Sequence, residues 1–268
     1  HHYDTTVSET RITTHLGIAK QQIPASAHFQ SWRTFPPDWT WPQMPPVGEW
    51  REYLGVRVYE GAHTYAGLHV VPGWGGSMFE ELMPDVFVPE GAWAPKSWGR
   101  NHPRHVDAQI HHGLVDARYG YWGFSPASDP YDGYAEWGVD ALGLRPDGYF
   151  SDHEHTDYHW DNPPTSYGDG VVTPHAAFLA MMHRPNEAVA NLRKLDKNFD
   201  AYGPGGFYDA VAVRSGKVAK RYLSLDQAMI TGALGNVIGD QVVRRYFCQG
   251  EVSRYVRPVI APEVFGPA

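Results

Sequence analysis

Residues 121–138, which read YWGFSPASDPYDGYAEWG, are the stretch that most constrains how this chain can fold. Their prolines and glycines exclude a regular helix or strand, so the flanking segments must pack around an irregular loop. Six aromatic residues of this loop stand beside three acids, Asp129, Asp132 and Glu136. Because sugar rings stack on aromatic faces and bind acids through their hydroxyls, the loop predicts a carbohydrate site. The alternative is a buried aromatic loop that closes a core.

The charge balance disfavours two kinds of partner. Lys and Arg number 22 against 30 Asp and Glu, a net charge of −8, which argues against nucleic acid or an anionic membrane. No apolar run approaches the roughly 20 residues that a membrane span requires. Aromatic residues make up 14% of the chain, with 15 His and 22 Pro, a composition typical of extracellular carbohydrate-active proteins. We therefore predict a secreted or periplasmic protein whose signal lies outside this chain, without an internal disulfide because Cys248 is the single cysteine.

Apolar spacing predicts one mainly α domain over residues 1–268, with about seven helices. Ser77 and Glu80 have the spacing of a capping box that opens one of them. Period-two alternation predicts a β-hairpin over residues 53–71 that turns at Glu60-Gly61, inside an insertion at about 36–75. The proline-rich tail after Phe247 is predicted to be irregular. The predicted helices cover residues 5–22, 77–88, 101–118, 174–183, 186–199, 224–238 and 241–247. Residues 25–35 are a candidate for a further short helix.

Several acids outside and inside the central loop are candidates for chemistry. Glu80 is either the carboxylate of the capping box or an acid at the rim of a cavity. Asp209 and Asp226 stand in apolar surroundings, so each is either a hydrogen-bonded anchor or a site acid. Glu136 beside Trp137 is favoured as a catalytic acid, because desolvation would raise its pKa. Asp132 is predicted to bind substrate or to stabilise an Asx turn.

Residues 151–159, SDHEHTDYH, form a second polar segment with metal-ligand chemistry. Alternation on an extended backbone would place His153, His155 and Asp157 on one side, as a zinc or calcium site requires. The spacing matches neither HExxH nor an EF-hand loop, so a solvated loop or a sugar-binding loop remains the alternative. We predict no cofactor, and the chain has no GxSxG elbow and no phosphate-binding glycine motif.

Short motifs in a fixed order resemble one protein family. The clearest are GSMFE at 76–80 with LMP at 82–84, and WGFS at 122–125 with SD at 128–129 and DGY at 132–134. The order continues with TP at 173–174, GFYDA at 206–210 and LDQ at 225–227, and it begins with YD at 3–4, SETRI at 8–12 and GIAK at 17–20. Together they resemble the glycoamylase-like bacterial proteins, which include endo-β-1,2-glucanases of glycoside hydrolase family 144 and part of cyclic β-1,2-glucan synthases.

This resemblance implies an (α/α)6 toroid whose site lies in the central cavity. The chain resembles only the C-terminal part of such a toroid, because family members carry further helices before the YD motif. An incomplete toroid would expose an apolar edge, which predicts a missing N-terminal chain or a homo-oligomer as partner. The insertion at 36–75 and the segment 152–159 depart from the family pattern.

The function predicted from these residues and the resemblance is hydrolysis of a bacterial glucan, with β-1,2 linkage and inversion implied by the resemblance. Glu136 or Glu80 would protonate the leaving oxygen, and Asp209 or Asp226 would activate water. Two alternatives stay open: a non-catalytic carbohydrate-binding protein on the same scaffold, and a metal-dependent hydrolase that uses residues 152–159. The predicted substrate-binding residues are Trp74, Trp122, Asp129, Asp132, Tyr134, Trp137, His153 and Tyr208.

Overall fold

Helices carry most of the regular structure in residues 5–39, 44–144, 156 and 158–266, the part of the chain that the computed structural model describes. The helix-rich class is therefore confirmed. The α-helices are α1 Arg11–Ala19, α2 Met78–Phe87, α3 Glu90–Trp93, α4 Trp98–His111, α5 Pro174–Ala180, α6 Pro185–Asn198, α7 Ser224–Ile238, α8 Val242–Phe247, α9 Glu251–Tyr255 and α10 Arg257–Ile260. The strands are β1 Val47–Tyr53, β2 Val56–Tyr65, β3 Leu68–Val70, β4 Ala127–Ser128, β5 Tyr134–Ala135, β6 Val171–Val172, β7 Tyr202–Gly203, β8 Gly206–Phe207, β9 Ala210–Ala212 and β10 Lys217–Ala219.

Helix α2 begins where its capping residues predict. The Ser77 side chain accepts the backbone N–H of Glu80, and the Glu80 carboxylate accepts the backbone N–H of Ser77, so the capping box is confirmed. Helix α7 also has its predicted bounds. These two helices are set by contacts between residues three or four positions apart, which a sequence pattern contains.

Other predicted boundaries were wrong for identifiable reasons. Residues 25–35 form only a 3₁₀ helix, Ala25–Gln30. Helix α4 begins at Trp98, so Pro103 lies inside it and not in its first turn. The indole of Trp98 is fully buried, and this tertiary packing fixes a helical turn ahead of the proline. A π-helical turn, His112–Asp116, then ends the helix that residues 101–118 were predicted to form.

The C-terminal tail is helical, which corrects the prediction of an irregular tail. Pro258 lies in the first turn of α10, where its missing N–H costs no hydrogen bond. Val252, Val256 and Ile260 are buried in a second core shared with Ile18 of α1. The tail is therefore part of the folded unit, and its helices were missed because their apolar stripe is short.

The insertion forms a three-stranded antiparallel sheet in the order β1-β2-β3. Its turns lie at Leu54-Gly55 and Ala66-Gly67, where both residues of each pair have positive φ, as type I′ hairpins require. The predicted turn at Glu60-Gly61 was wrong, because this pair lies in the middle of β2 opposite β1. Glycine is needed at 61 because a Cβ there would lie 1.7 Å from Oγ1 of Thr34.

Two cores hold the helices together. The main core packs α2, α5, α6 and α7 around the start of the central loop, with Met78, Leu82, Leu179, Leu195 and Met229 among its buried residues. The second core joins α1, α9, α10 and β2. The central loop meets the N-terminus of α2 at the main core, where the Met78 backbone N–H donates to the Phe124 carbonyl at 3.0 Å, and this junction positions the candidate site.

An apolar groove crosses the outer face of α1, α2, α7 and α8. Helix α7 is apolar on several sides, and Leu225 and Ile238 are 50% and 80% exposed. A helix with apolar residues all round is usually buried, so this face is suited to contact another chain segment or another copy. That a missing N-terminal chain or a second copy covers this face stays a prediction. The closed (α/α)6 toroid also stays a prediction. The groove is lined by Ile12, Leu16, Met83, Val86, Phe87, Leu225, Ala228, Met229, Val243 and Phe247.

None of the described helices is both long and apolar enough to span a membrane.

Candidate functional site

A cavity opens where the loop before α2 meets the β4–β5 hairpin of the central loop. Three carboxylates line it, those of Glu9, Glu80 and Glu136. Five of the predicted site residues thereby come together from two distant stretches, and Glu9 joins them. The full lining is Glu9, Trp74, Gly75, Ser77, Phe79, Glu80, Pro126, Tyr134, Glu136 and Trp137.

The loop before α2 wraps the Glu80 carboxyl in backbone amides. Oε1 accepts the N–H groups of Trp74 at 2.8 Å and Gly75 at 3.0 Å, and Oε2 accepts the N–H of Ser77 at 3.0 Å. The Ser77 hydroxyl lies 2.9 Å from Oε2. Gly76 has φ +67°, and a Cβ there would lie 2.2 Å from the Val139 carbonyl, so only glycine fits this turn. Glu80 thus caps α2 and also lines the cavity. The two sequence interpretations, a capping-box carboxylate and an acid at a cavity, are therefore both correct.

Burial decides the protonation of Glu80. The side chain lies in the wall of the cavity with only 9% of the residue exposed. Desolvation raises the pKa of Glu80 to about 7, although the amides of Ser77 and Gly75 work in the opposite direction. A substantial fraction of this carboxyl therefore holds a proton at neutral pH, as a general acid must.

The β4–β5 hairpin brings Tyr134 and Glu136 to the opposite side of the cavity. Ser128 pairs with Tyr134, and Gly133 turns the chain with φ +77°. Both Tyr134 and Glu136 are exposed to the solvent of the cavity. Burial, together with the charges of Asp226, Glu136, Asp209 and Glu9, raises the pKa of Tyr134 to about 12. Four acids are thus close enough to act on one phenol, which stays a neutral hydrogen-bond donor.

Asp209 and Asp226 form a buried pair behind Tyr134. Burial and a hydrogen bond to Asp209 raise the pKa of Asp226 to about 9, so Asp226 keeps its proton and donates to Asp209. Oδ2 of Asp209 also accepts the backbone N–H of Ser128 at 2.6 Å, which ties the pair to the β4–β5 hairpin. Neither side chain lines the cavity itself.

His175 adjoins this pair and completes a possible metal-ligand set. Its Nδ1 lies 3.5 Å from Oδ2 of Asp226, and burial lowers the pKa of His175 to about 4. The ring is therefore neutral, as a metal ligand must be. Ligand atoms of His175, Asp209 and Asp226 lie within 4.8 Å of one another. A divalent cation there would take the place of the shared proton.

The structure does not bring the remaining predicted residues to the cavity. Trp122 is buried in the main core, so its ring faces are covered by protein. Asp129 accepts the backbone N–H of Tyr131 at 2.8 Å, which is the Asx-turn role. The Asp132 side chain is 88% exposed and lies 3.4 Å from Arg221. Tyr208 packs against Tyr222, with 5.1 Å between the ring centroids and 32° between the ring planes.

The predicted metal segment lies almost entirely outside the described residues. His153, together with Asp152, Glu154, His155 and Asp157, falls in this part of the chain. His159 is described, and its exposed ring pairs with the Asp161 carboxylate. The metal-dependent alternative therefore stays a prediction.

Sequence reasoning missed Glu9 and the role of Arg11 next to it, although both belong to the SETRI motif. The Arg11 guanidinium binds both oxygens of Glu90, at 2.8 and 2.9 Å, and donates to the Glu80 carbonyl at 2.7 Å. It thereby holds α1, which begins two residues after Glu9, against α2. The only sequence signal for this was the order of the motifs along the chain.

Arg11 belongs to a buried network of charges. Burial alone would raise the pKa of Glu90. The charge of Arg11 and the hydrogen bond from His102 outweigh burial and lower this pKa to about 2. Burial lowers the pKa of His102, but the charges of Asp85 and Glu81 outweigh it and raise the value to about 9. Arg11, a protonated His102 and Arg244 therefore compensate three buried carboxylates, those of Glu81, Asp85 and Glu90.

A helix-rich scaffold with acids and aromatic rings in a cavity between its loops is consistent with the glycoamylase-like class that the sequence motifs resemble. The chain belongs to the Glycoamylase family, described as "Putative glucoamylase", which matches residues 1–250. The resemblance found in the sequence motifs is thereby confirmed.

Individual relatives agree with this membership. The chain is 28% identical over 261 residues to the cyclic beta-(1,2)-glucan synthase NdvB of Rhizobium meliloti (strain 1021), which covers 91% of this chain and 7% of NdvB. A "putative glucoamylase" from Bacteroides fragilis NCTC 9343 is similar with TM-score 0.63 and 17% identity, over 95% of this chain and 53% of that one. The endo-beta-1,2-glucanase from Chitinophaga pinensis, solved with sophorotriose and glucose, gives TM-score 0.60 and 16% identity, over 95% of this chain and 54% of that one. The chain thus spans about half the length of these structures, which share its fold.

Proposed function

We propose that this chain is a glycoside hydrolase that acts on a β-1,2-linked glucan, with Glu80 as the general acid and Glu136 as the base that activates water. One observation carries the proposal: a buried carboxyl with a pKa of about 7 lines the same cavity as a solvent-exposed carboxylate. Hydrolysis of a glycosidic bond needs this pairing of a proton donor and a proton acceptor.

The geometry favours Glu136 over Asp209 and Asp226 as the base. Both aspartates are buried and neither lines the cavity, so water in the cavity does not reach their oxygens. Glu136 stands in the solvent of the cavity, where a water molecule can reach its carboxylate. We also propose that hydrolysis inverts the anomeric carbon, as the resemblance implies. Inversion requires space for that water molecule between Glu136 and the sugar.

Aromatic side chains of the cavity supply the sugar contacts in this proposal. Trp74 presents an indole ring, and the neutral phenol of Tyr134 donates to a sugar hydroxyl. Trp137 contributes to the cavity wall with only 5% of the residue exposed. The β-1,2 linkage is supported by the names of the relatives, a β-1,2-glucan synthase and an endo-β-1,2-glucanase.

Replacing Glu136 with Gln is expected to lower kcat by about 10²–10⁴-fold and to leave the fold intact, because the side chain is exposed. New reducing ends released from linear β-1,2-glucan measure the activity, and circular dichroism checks the fold. Asp132→Asn, an exposed acid of the same loop outside the cavity, is the matched control and should keep full activity. Wild-type rates in Glu136→Gln would remove Glu136 from the mechanism.

The pH profile tests the acid. Because Glu80 must be protonated to act, kcat/KM should fall by about tenfold per pH unit once the pH exceeds the Glu80 pKa of about 7. Initial rates between pH 5 and about 9.5, in buffers of constant ionic strength, measure this fall of kcat/KM on the alkaline side of the profile. A profile that stays flat up to pH 9 would contradict the assignment of Glu80.

Transfer of a glucosyl chain to a sugar hydroxyl is the second candidate, favoured by the relationship to a glucan synthase. Transfer that keeps the β configuration would need a double displacement: Glu80 protonates the leaving oxygen, Glu136 takes the glucosyl chain as the nucleophile, and the acceptor hydroxyl then displaces Glu136 and gives its proton back to Glu80. Incubation of a β-1,2-linked trisaccharide at high concentration separates the two reactions, since hydrolysis gives only shorter products and transfer also gives longer ones.

A further inference from the structure

A second cavity of about 690 Å³ lies between the insertion and the end of the π-helical turn, within the roughly 300–1,000 Å³ typical of small-ligand sites. It shares no lining residue with the first cavity. Three segments build it: the β2–β3 turn, residues 115–118 and residues 158–167. Its lining consists of Met44, Thr64, Tyr65, Ala66, Val115, Asp116, Ala117, Arg118, Tyr158, Trp160, Pro163, Pro164, Thr165, Ser166, Tyr167 and Arg214.

Four aromatic rings line this cavity, those of Tyr65, Tyr158, Trp160 and Tyr167. Trp160 is 40% exposed, so part of its indole is open to a ligand. Tyr167 is held edge-on against the His112 ring at a centroid distance of 5.2 Å. The Tyr65 hydroxyl donates to Asp116. Tyr158 is buried in the main core, so the open ring face is that of Trp160, with Tyr65 and Tyr167 held in place near it. An exposed indole is the kind of surface on which a sugar ring stacks.

Polar groups for hydroxyl recognition stand beside these rings. Arg118 is exposed and has φ +53°, a left-handed conformation that is rare for residues other than glycine. It lies two residues after the π-helical turn His112–Asp116, and such turns and strained residues cluster at functional sites. Thr165 and Ser166 add two exposed hydroxyls.

Arg214 ties two walls of the cavity together. Its guanidinium donates to the carbonyls of Tyr167 and Gly168 on one side and to the Ala117 carbonyl, at 2.9 Å, on the other. It also lies 4.9 Å from the centroid of the Tyr119 ring. The described walls are thus held in place without a ligand, which lowers the entropic cost of binding one.

We propose that this second cavity is a carbohydrate-binding site, which holds a stretch of glucan chain apart from the cavity that contains Glu80. Aromatic faces interleaved with hydroxyls and a guanidinium fit a neutral, polyhydroxylated ligand. The net charge of −8 disfavours an anionic polymer as the occupant. The ligand class follows from this cavity's own side chains, so the proposal does not depend on hydrolysis at the first cavity.

The test is retardation of the protein in native gels that contain linear β-1,2-glucan, with β-1,3-, β-1,4- and α-1,4-glucan in parallel gels. All variants carry Glu80→Gln so that cleavage does not interfere. Trp160→Ala and Arg118→Gly are each expected to weaken glucan binding about tenfold. Arg118→Gly removes the guanidinium while it relieves the left-handed backbone, so this variant is expected to fold at least as well as its parent. Trp50→Ala, which removes an equally exposed tryptophan of β1 outside the cavity, is the matched control.

The outcomes separate this proposal from the proposed function. With Glu80 restored, Trp160→Ala should slow cleavage of the polymer at low concentration and leave cleavage of a β-1,2-linked trisaccharide unchanged. Retardation that depends on Trp160 and Arg118 supports the site even if wild-type protein cleaves nothing. Equal retardation of Trp160→Ala, Arg118→Gly and Trp50→Ala would overturn it, as would a parent protein that none of the four glucans retards.

Discussion

Replacing Glu80 with Gln is expected to lower kcat on linear β-1,2-glucan by about 10²–10⁴-fold, the usual contribution of a general acid. The amide of Gln cannot transfer a proton to the glycosidic oxygen as a carboxylic acid does. Its oxygen can still accept the amides of Trp74 and Gly75, so most of the loop before α2 should keep its shape. The reducing-end assay gives kcat, and KM should change much less.

The structural cost of Glu80→Gln must be measured beside its catalytic cost. Loss of half of the capping box is expected to lower the free energy of unfolding by about 1 kcal/mol. Glu251→Gln, an exposed acid in the first turn of α9, is the matched control and should leave kcat unchanged. If Glu80→Gln kept more than half of the wild-type kcat, the general acid would have to be sought among the other acids around Tyr134.

The second large effect is expected from Arg11→Ala, which should lower the free energy of unfolding by about 3–5 kcal/mol. Its guanidinium binds both oxygens of Glu90, and without it His102 would be the charged partner left to Glu90, whereas Asp85 would still have Arg244. An uncompensated buried charge costs several kcal/mol, much more than the loss of an exposed pair. Urea unfolding followed by tryptophan fluorescence measures the change.

A surface ion pair provides the control for Arg11. Arg245→Ala breaks a pair with Asp240 whose side chains are 59% and 87% exposed, and should cost at most about 1 kcal/mol. If Arg11→Ala is too unstable to purify, Arg11→Lys, which keeps the charge but not the two parallel hydrogen bonds, should unfold at lower urea than wild type. Equal urea midpoints for wild type, Arg11→Lys and Arg11→Ala would show that this network contributes nothing to stability.

The two large effects come from different parts of one arrangement. Arg11 donates to the backbone carbonyl of Glu80, so the buried network supports the turn that presents the acid. Arg11→Lys is therefore also a sensitive probe of the site, because a small shift of this turn would move the Glu80 carboxyl relative to the amides that hold it. The expected loss of stability and the expected loss of activity are separable, since the Glu80→Gln variant affects mainly the second.

Sequence reasoning predicted the candidate site in part. The aromatic loop and the GSMFE motif indicated Glu136, Glu80, Trp74, Tyr134 and Trp137, and all five line one cavity. Glu9 was missed because nothing local distinguishes it from other helix-flanking acids. Trp122 was assigned to the substrate by its neighbours in the loop, yet its ring is buried in the main core. A loop sequence shows which rings are present, but not which way each ring points.

The sequence by itself determined the structures that close within a few residues: the capping box of Ser77 and Glu80, the bounds of α7 and, through the order of short motifs, the family. The tertiary structure alone decided that Glu60-Gly61 lies within a strand, that the tail is helical, and that Asp209 holds Ser128 across 81 positions of the chain. It also decided the protonation of Glu80 and Asp226. Caps and turns are formed by neighbours that the sequence pattern contains, whereas burial and the pKa of a carboxyl depend on which distant residues exclude water from it.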